Sequence, residues 1–182
     1  LRDKGVLAVV ANTYISIIRG TPVVVQLFII YFIILAKSGL PPWLIASVAF
    51  GLNSGAYVAE IIRSGIQAVD NGQTEAARSL GMTNGQNMRF IVLPQALKII
   101  LPAMANEFVT LIKETSILSY VGIVEITRSG VLWASREFQT FPAYIGVAII
   151  YLCMTIPLSR LVAYLEKRMG TSAPAKKRKA GM

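Results

Sequence analysis

Four apolar stretches along the chain have the length, or nearly the length, to cross a bilayer, whose hydrocarbon core takes about 20 helical residues. They cover residues 22–36, 43–62, 99–118 and 143–165. The first would form only about 22 Å of helix at about 1.5 Å per residue, so it must draw on the preceding residues 14–19 or lie where the bilayer is thinned. The pattern predicts an all-α fold, a polytopic membrane helix bundle with four visible spans.

The composition supports a membrane protein and argues against several soluble classes. Of the 182 residues, 54% are hydrophobic and 15% are charged, whereas soluble domains have about 45–50% and about 25%. The absence of His argues against zinc hydrolases and His-based catalytic triads, so we expect no metal site. The single cysteine, Cys153, excludes an internal disulfide scaffold.

Basic residues predict which side of the membrane each segment faces. Four crossings return the chain to its starting side, so both ends and the segment between the second and third spans share one side. That side carries Arg2, Lys4, Arg63, Arg78, Arg89, Lys98, Lys167, Arg168, Lys176, Lys177, Arg178 and Lys179. The other side carries Lys37, Arg128 and Arg136. The positive-inside rule makes the first side cytoplasmic and residues 127–140 an external segment. This topology accounts for the net charge of +9 better than nucleic-acid binding does.

The same pattern predicts the domain organisation. Residues 1–168 form one transmembrane domain, and residues 169–182, with a run of lysines among Ser, Pro and Ala, predict a disordered basic cytoplasmic tail. The chain opens on a charged flank without an initiator Met, which predicts a fragment that lacks a preceding apolar segment.

Residues 63–98 interrupt the apolar pattern with two signals for the start of a helix. The signals are Asp70 with Gln73 and Thr83 with Gln86, both spaced as capping boxes. Gly81 can end the first helix in a left-handed conformation, and the second should end before Pro94. We therefore expect two short helices at an angle, anchored at both ends in membrane spans.

The same segment carries a motif with a distinctive spacing. Glu75-Ala76-Ala77, then Gly81 after three residues, then Ile91-Val92-Leu93-Pro94 after nine more, resemble the EAA signature of bacterial ABC importer permeases. Residues 53–81 and the earlier Arg19-Gly20-Thr21-Pro22 resemble the polar amino-acid uptake branch of that family. The resemblance covers nearly the whole chain and implies a fold of five spans, one more than the four visible here.

The resemblance also implies a role for the two short helices, at about residues 67–93. In that family they dock as a coupling element in a groove on a cytoplasmic ATPase subunit. The coupling positions carried over are Glu75, Ala76, Ala77, Arg78, Gly81, Leu93 and Pro94. Alanine permits close approach, Gly81 permits a sharp turn, and Glu75 or Arg78 can form ion pairs across the interface. The plain alternative is that Glu-Ala-Ala-Arg is simply a good helix-forming sequence.

Nucleotide chemistry is not expected in this chain, because it contains no G-x-x-x-x-G-K-[ST] motif to hold phosphates. We expect a non-enzymatic subunit with no cofactor of its own, and ATP and Mg bound by the partner ATPase. The family implies further partners: a second permease subunit, identical or related, an extracytoplasmic solute-binding protein, and a polar amino acid as substrate. It also implies a multi-pass location in the bacterial cytoplasmic (inner) membrane.

Two stripes of polar side chains at membrane depth are candidates for a substrate path or gate, because ionisable residues there normally face a protein interior or a water-filled cavity. At about 100° per residue, the stripes hold Asn53, Tyr57 and Glu60 in the second span and Asn106, Glu107, Thr110, Lys113 and Glu114 in the third, with Ser116 just beyond. The opposite side of the second span, Gly51, Gly55 and Ala59, predicts a ridge for close helix packing.

These stripes have structural interpretations as well. Lys113 can partly neutralise Glu107 or Glu114 in an ion-pair network, and Glu60 can simply pair with Arg63. The stripes can also line a subunit interface. Three acidic residues against one lysine favour a cationic amino acid, if these residues meet the substrate.

Two further features each have two interpretations. Gln26 in the first span can hydrogen-bond across a dimer or be satisfied by its own neighbours. Residues 116–122 predict either an external gate at a break in the helix or a turn that ends it.

Two other classes of protein are alternatives to an ATP-driven permease. In an ion-coupled secondary transporter or channel subunit, the ion-coupling or pore groups would be Glu60, Glu107, Lys113 and Glu114. Such a carrier does not need the capped helix pair. A membrane scaffold that binds acidic partners through its tail would leave both polar stripes unexplained.

Overall fold

The computed structural model of the chain describes residues 5–169, and these residues form helices joined by short turns. The helices are α1 (Val6–Arg19), α2 (Val23–Ile29), α3 (Pro42–Gln67), α4 (Asn71–Ser79), α5 (Asn84–Asn87), α6 (Leu93–Glu114), α7 (Ile126–Glu137) and α8 (Thr140–Met169). Wide π-helical turns follow α2 at Ile30–Ile34 and α5 at Met88–Val92, and a 3-10 segment at Thr115–Val121 follows α6. The all-α fold is confirmed. The predicted tail lies outside the described residues, except for Met169.

Three helical segments are long and apolar enough to cross a membrane: Pro42–Gln67, Asn84–Val121 and Thr140–Met169. A fourth crossing requires the pair Val6–Arg19 and Val23–Ile34 to act as one span, although the chain turns by 108° between them. A polytopic helix bundle is therefore confirmed, with three spans or with four if the bent pair counts as one.

The bend between α1 and α2 corrects the expectation that residues 14–19 lengthen the first span. Pro22 is the N-cap of α2 and is extended, with φ −64° and ψ 137°. A residue before proline avoids the helical region, so the helix cannot run through Thr21 into α2. The two helices consequently do not form one straight rod.

α2 packs against the first half of α3 and forms an apolar core with it. The buried members of this core are Leu27, Ile30, Ile45, Ala46 and Ala49. Side chains of the 3-10 segment, including Ile117 and Leu118, cover the core from the other side. The segment after α6 is thus held against the start of α3 rather than hanging free.

α3 and α6 approach each other most closely at a glycine. A Cβ added to Gly65 would lie 2.4 Å from Cγ1 of Ile100, which is itself buried. Val69, Val92 and Ala96 complete the apolar cluster around Ile100. The end of α3 is therefore locked to the start of α6, on either side of the segment that joins them.

The ridge predicted on α3 makes no close helix contact within residues 5–169. A Cβ on Gly51 would meet nothing within 4 Å, and one on Gly55 would meet only the Tyr14 hydroxyl at 3.4 Å. The face of α3 that is buried within the chain holds Ala49, Asn53 and Ala56, which share an arc with the polar stripe at about 100° per residue. The use of the ridge as a packing surface therefore stays a prediction.

The sequence predicted that the second short helix ends before Pro94. This prediction is wrong, because the helical chain continues past this residue. α5 continues through the π-helical turn into α6, with Pro94 in the first turn of α6. Proline lacks an N–H and its ring clashes with the carbonyl four residues earlier, here that of Phe90. The wider turn, closed by a bond from the Leu93 N–H to the Met88 carbonyl, removes that clash without breaking the helix.

Residues 127–140, predicted as an external segment, mostly form a helix of their own. α7 lies antiparallel against the first half of α8: Thr127 is near Tyr151, and a Cβ on Gly130 would lie 2.3 Å from Cγ2 of Val147. The mixed polarity of this segment concealed the helix, because only one of its faces packs on α8.

Candidate functional site

A bent projection joins the end of α3 to the start of α6. It comprises residues 70–92, that is α4, α5, the turn between them and the second π-helical turn, and we call it the elbow. Asp70 begins it as the N-cap of α4, with its Oδ1 accepting from the N–H of Gly72 at 2.8 Å. The predicted helix start is confirmed, although the cap reaches Gly72 rather than Gln73.

The corner of the elbow is a glycine turn. Gly81 has φ +78°, its N–H donates to the carbonyl of Arg78 at 2.9 Å, and the next N–H, that of Met82, donates to the carbonyl of Ala77 at 3.0 Å. This pair of bonds is the Schellman pattern that ends a helix. The left-handed conformation costs a residue with a Cβ about 1–2 kcal/mol, so the predicted role of Gly81 in the sharp turn is confirmed.

The second arm of the elbow starts with the complete capping box that its sequence predicted. The Gln86 N–H donates to Oγ1 of Thr83 at 3.3 Å, and the Thr83 N–H donates to Oε1 of Gln86 at 2.9 Å. Each side chain satisfies a backbone donor of the other, which fixes where α5 begins.

Most of the predicted coupling residues are exposed on the elbow. Glu75, Ala76, Arg78 and Gly81 are exposed, whereas Ala77 is buried. Leu93 and Pro94 are also exposed but lie apart from the corner, where the elbow joins α6. The structure therefore groups Glu75, Ala76, Arg78 and Gly81 and separates Ala77, Leu93 and Pro94 from them.

Leu80, which the sequence analysis did not single out, stands at the corner of the elbow. It is 83% exposed, beside Gly81. A large apolar side chain in a polar connecting segment could have been noticed from the sequence.

Asn87 and Thr74 form a part-buried hydrogen bond between the two arms of the elbow. Nδ2 of Asn87 donates to Oγ1 of Thr74 at 3.2 Å. Asn87 is 5% exposed, and its Oδ1 is the buried side-chain atom left without a hydrogen-bond partner in residues 5–169. An unpaired buried acceptor costs about 1–3 kcal/mol. Sequence reasoning missed this pair, because its members are 13 positions apart and on different helices.

Asn53 of the first polar stripe lies in the interior of the chain. Its Nδ2 donates to Oε1 of Gln26 at 2.9 Å, and it is 2% exposed. Nε2 of Gln26 in turn lies 2.7 Å from the carbonyl of Ile18 and 2.8 Å from Oγ1 of Thr21. Gln26 is thus satisfied by its own neighbours, and it ties the bend between α1 and α2 to the middle of α3.

Glu60 carries an ion-pair cluster farther along the same arc. Both of its oxygens accept from Arg63, one of them from Nε at 2.9 Å, as one sequence interpretation expected. Nη1 of Arg19, in α1, lies 3.4 Å from Oε1 of Glu60. The guanidinium carbon of Arg19 lies 5.6 Å from the centre of the Tyr57 ring. The structure thus brings Tyr57 and Glu60 together around Arg19, a residue that was not predicted to take part.

The second stripe faces α8 at one end and is less tightly paired. Nδ2 of Asn106 donates to Oε1 of Glu166 on α8 at 3.1 Å, and the Thr110 hydroxyl donates to the carbonyl of Asn106. Glu107, Glu114 and Ser116 are partly exposed, and Lys113 is exposed. Within residues 5–169, neither glutamate has an ion pair with Lys113 shorter than 4.0 Å. The expected neutralisation by direct pairing is therefore not present.

A further polar group, absent from the sequence predictions, lies where α7 begins. The carboxylate of Glu125 caps α7 by accepting from the N–H groups of Thr127 and Arg128 at 2.7 and 2.6 Å. The Tyr151 hydroxyl on α8 donates to the same carboxylate at 3.1 Å. Glutamate is not a preferred N-cap residue, which is why the sequence did not indicate this site.

The described part of the chain, residues 5–169, holds no group of three or more His, Cys, Asp or Glu side chains that could bind a metal ion. The candidate functional features are therefore the exposed corner of the elbow and the two polar stripes.

Comparison with known proteins places the chain in a family. The sequence matches the family described as the binding-protein-dependent transport system inner membrane component over residues 1–171. The probable glutamine ABC transporter permease protein GlnM of Bacillus subtilis (strain 168) is 42% identical over 163 residues, which are 88% of this chain and 75% of that protein. The glutamine transport system permease protein GlnP of Escherichia coli (strain K12) is 38% identical over 163 residues, 88% of this chain and 74% of the relative.

A solved structure is similar as well. It is described as the crystal structure of an amino acid ABC transporter with histidines, and it matches with a TM-score of 0.83 and 48% identity over 88% of this chain and 75% of the solved chain. The helix order, the signature spacing and these similarities agree. The chain belongs to the family of binding-protein-dependent transport system inner membrane components, and it is an ABC transporter permease, a non-enzymatic membrane subunit.

Proposed function

We propose that the chain is the membrane-spanning subunit of an ATP-driven importer of a polar amino acid in the bacterial cytoplasmic membrane. The relatives support the substrate class: two are named as glutamine permeases, and the similar solved structure is an amino acid transporter with histidines. The positive-inside distribution of Arg and Lys supports a cytoplasmic position for the elbow.

The observation that carries the proposal is the exposed corner of the elbow between two membrane-length segments. Ala76 leaves room for close approach, Leu80 offers an apolar anchor, and Glu75 and Arg78 offer charges at the rim. Leu80, at 83% exposure, is left largely uncovered by residues 5–169. A cytoplasmic ATPase subunit that receives this corner in a groove would bury it and could push on α3 and α6 together.

The remaining partners follow from the same proposal. ATP and Mg are bound by the ATPase subunits, and their closure moves the helices between outward-open and inward-open arrangements. A second permease subunit, identical or related, completes the enclosure of the path. An extracytoplasmic solute-binding protein delivers the amino acid. The second stripe, from Asn106 to Ser116, lines the path or the gate.

The charge of the substrate is less restricted than the stripes first indicated. Arg19 and Arg63 both neutralise Glu60, so this carboxylate does not count toward a binding site for a cation. The second stripe then carries two acidic residues, Glu107 and Glu114, and one basic residue, Lys113. We therefore propose a polar amino acid without a strong preference for positive charge.

An ion-coupled carrier is the weaker candidate. The relatives are named as ABC transporter permeases, and the elbow has no role in a carrier driven by an ion gradient. Glu60, one of the groups named for that alternative, already pairs with Arg19 and Arg63, and an ion-coupling role would need to break these pairs.

Reconstitution tests the proposal. The permease would be incorporated in proteoliposomes with its cognate ATPase and binding protein, and uptake of radiolabelled glutamine, histidine, arginine and glutamate would be measured. We expect uptake of at least one of these only with ATP on the elbow side. Uptake driven by an ion gradient without the ATPase would overturn the proposal.

An elbow variant tests the docking surface in the same system. Ala76→Trp should prevent the ATPase from co-purifying with the permease, because a large ring on the corner blocks close approach. Yield and membrane insertion of the variant serve as the control. An intact complex with normal uptake would contradict this assignment.

A further inference from the structure

The two arms of the elbow are joined by a part-buried hydrogen bond between side chains, from Nδ2 of Asn87 on α5 to Oγ1 of Thr74 on α4 at 3.2 Å. Asn87 is 5% exposed, and its Oδ1 has no partner in the part of the chain that the structure describes. Packing alone does not require an amide here, because a leucine has the same branched skeleton of side-chain heavy atoms and would leave no unpaired oxygen. The amide therefore contributes through its donor.

The other contacts between the arms constrain their angle less. Arg78 and Asn84 meet at 3.4 Å on the exposed surface, where a long hydrogen bond competes with water. Ala77 is buried, and apolar burial has no directional preference. Gly81, at the corner, has no Cβ to restrict its backbone. The Thr74–Asn87 bond is a directional contact between the arms, and one of its partners, Asn87, is buried.

This bond also connects the exposed arm to a membrane span. Asn87 continues through the π-helical turn into α6 without a break in the helical chain, so its position follows that of α6. Thr74 belongs to α4, which carries Glu75 and Ala76 and rests on α5 and the π-helical turn. A displacement of α4 is therefore passed to α6 across this contact.

We propose that Asn87 is a positioning residue for coupling: its bond to Thr74 holds α4 at a fixed angle to α6, so that motion of a docked ATPase moves the span instead of turning α4 about Gly81. The inference rests on the proposed function, because it presumes that an ATPase engages the elbow. Asn87 itself does not contact the ATPase or the substrate, since it is buried between the arms.

Three variants and a matched control separate this role from simple stability. Asn87→Leu removes the donor and the unpaired oxygen together, so it should fold. Thr74→Val removes the acceptor with almost no change in shape. The double variant reports whether the two act through one contact. Asn84→Ala is the control, because it removes an exposed asparagine from the same helix.

The experiment uses the whole complex in proteoliposomes with the panel amino acid that the wild type takes up fastest. Uptake and ATP hydrolysis are measured in the same vesicles, and ATPase binding is measured separately. We expect uptake per ATP to fall about threefold in each single variant, the size expected for the loss of one net hydrogen bond. Uptake per ATP in the double variant should be no lower than in either single variant. ATPase binding in all variants, and uptake per ATP in Asn84→Ala, should stay at the wild-type level.

Three results would overturn the inference. The first is a wild-type ratio of uptake to ATP hydrolysis in both single variants. The second is a fall of uptake and of hydrolysis that simply follows the amount of folded protein. The third is a double variant whose fold-loss in this ratio equals the product of the losses of the two single variants. A wild-type complex without ATP-dependent uptake would instead refute the proposed function.

Discussion

Single polar residues in this permease are mostly satisfied within the chain. Helical periodicity correctly placed Asn53, Tyr57 and Glu60 on one arc, because positions on a helix face follow from spacing alone. It could not supply their partners: Asn53 binds Gln26, 27 positions away, and Glu60 binds Arg19 of another helix. The spacing therefore left open whether this face of α3 lines a path, a subunit interface or the interior of the chain.

The glycine at the α3–α6 contact makes a prediction about stability. Gly65→Ala should destabilise the protein by about 1–3 kcal/mol, because the new Cβ would overlap the buried Ile100 side chain. Gly51→Ala is the matched control in the same helix, where the Cβ meets open space, and it should stabilise by about 0.5–1 kcal/mol. Tm in detergent measures both changes. Equal shifts of the same sign would contradict the close approach.

The buried amide pair gives a second prediction at this scale. Gln26→Leu should lower stability by about 1 kcal/mol, since Asn53 and the carbonyls at the bend lose their partner. Adding Asn53→Leu should restore part of the loss, because no buried donor then remains unpaired. Thermal unfolding of the two variants and the wild type provides the measurement. Losses that simply add would show that the residues act independently.

Secondary-structure elements were predictable where their signals are local. Thr83 and Gln86, three positions apart, gave the start of α5, and Gly81 gave the corner of the elbow. Two elements were missed because their causes are tertiary or unusual. α7 is stabilised by packing on α8 and by a glutamate cap. α5 continues through a π-helical turn into α6, which contains Pro94.

The corner of the elbow gives a prediction at the scale of elements. Gly81→Ala forces a Cβ into the left-handed region, at φ +78°, and should reopen the angle between α4 and α5. Uptake per ATP should fall while membrane insertion is unchanged. Gly85→Ala, inside α5 with open space around it, is the matched control and should retain wild-type uptake. Equal behaviour of the two variants would argue against a strained corner.

The membrane-length segments bury few of their residues within the described part of the chain. In the apolar stretch of the α8 segment 6% of the residues are buried, and in that of the α3 segment 28% are. Lipid tails are as apolar as these side chains and can cover the rest. Length and hydropathy predicted the long spans well, whereas the 108° bend depends on the local chemistry at Thr21 and Pro22.

The topology of the whole molecule can be tested with two exposed positions at its opposite ends. Leu80→Cys on the elbow and Phe138→Cys at the end of α7, which are 83% and 93% exposed, would be introduced after Cys153→Ser. A membrane-impermeant maleimide should label position 138 from outside intact cells and position 80 only in inverted vesicles. Labelling of both positions from the same side would refute the topology.

The π-helical turn at Met88–Val92 has a consequence for how such subunits diversify. This turn accommodates one residue more than a regular helix, and removing that residue would rotate the elbow before it by about 100° about the axis of α6. The α3–α6 contact at Gly65 would keep its register, while Leu80 would point in a new direction. A deletion of one codon would thus redirect the surface that the elbow offers to the proposed ATPase subunit, while the contact between α3 and α6 is kept.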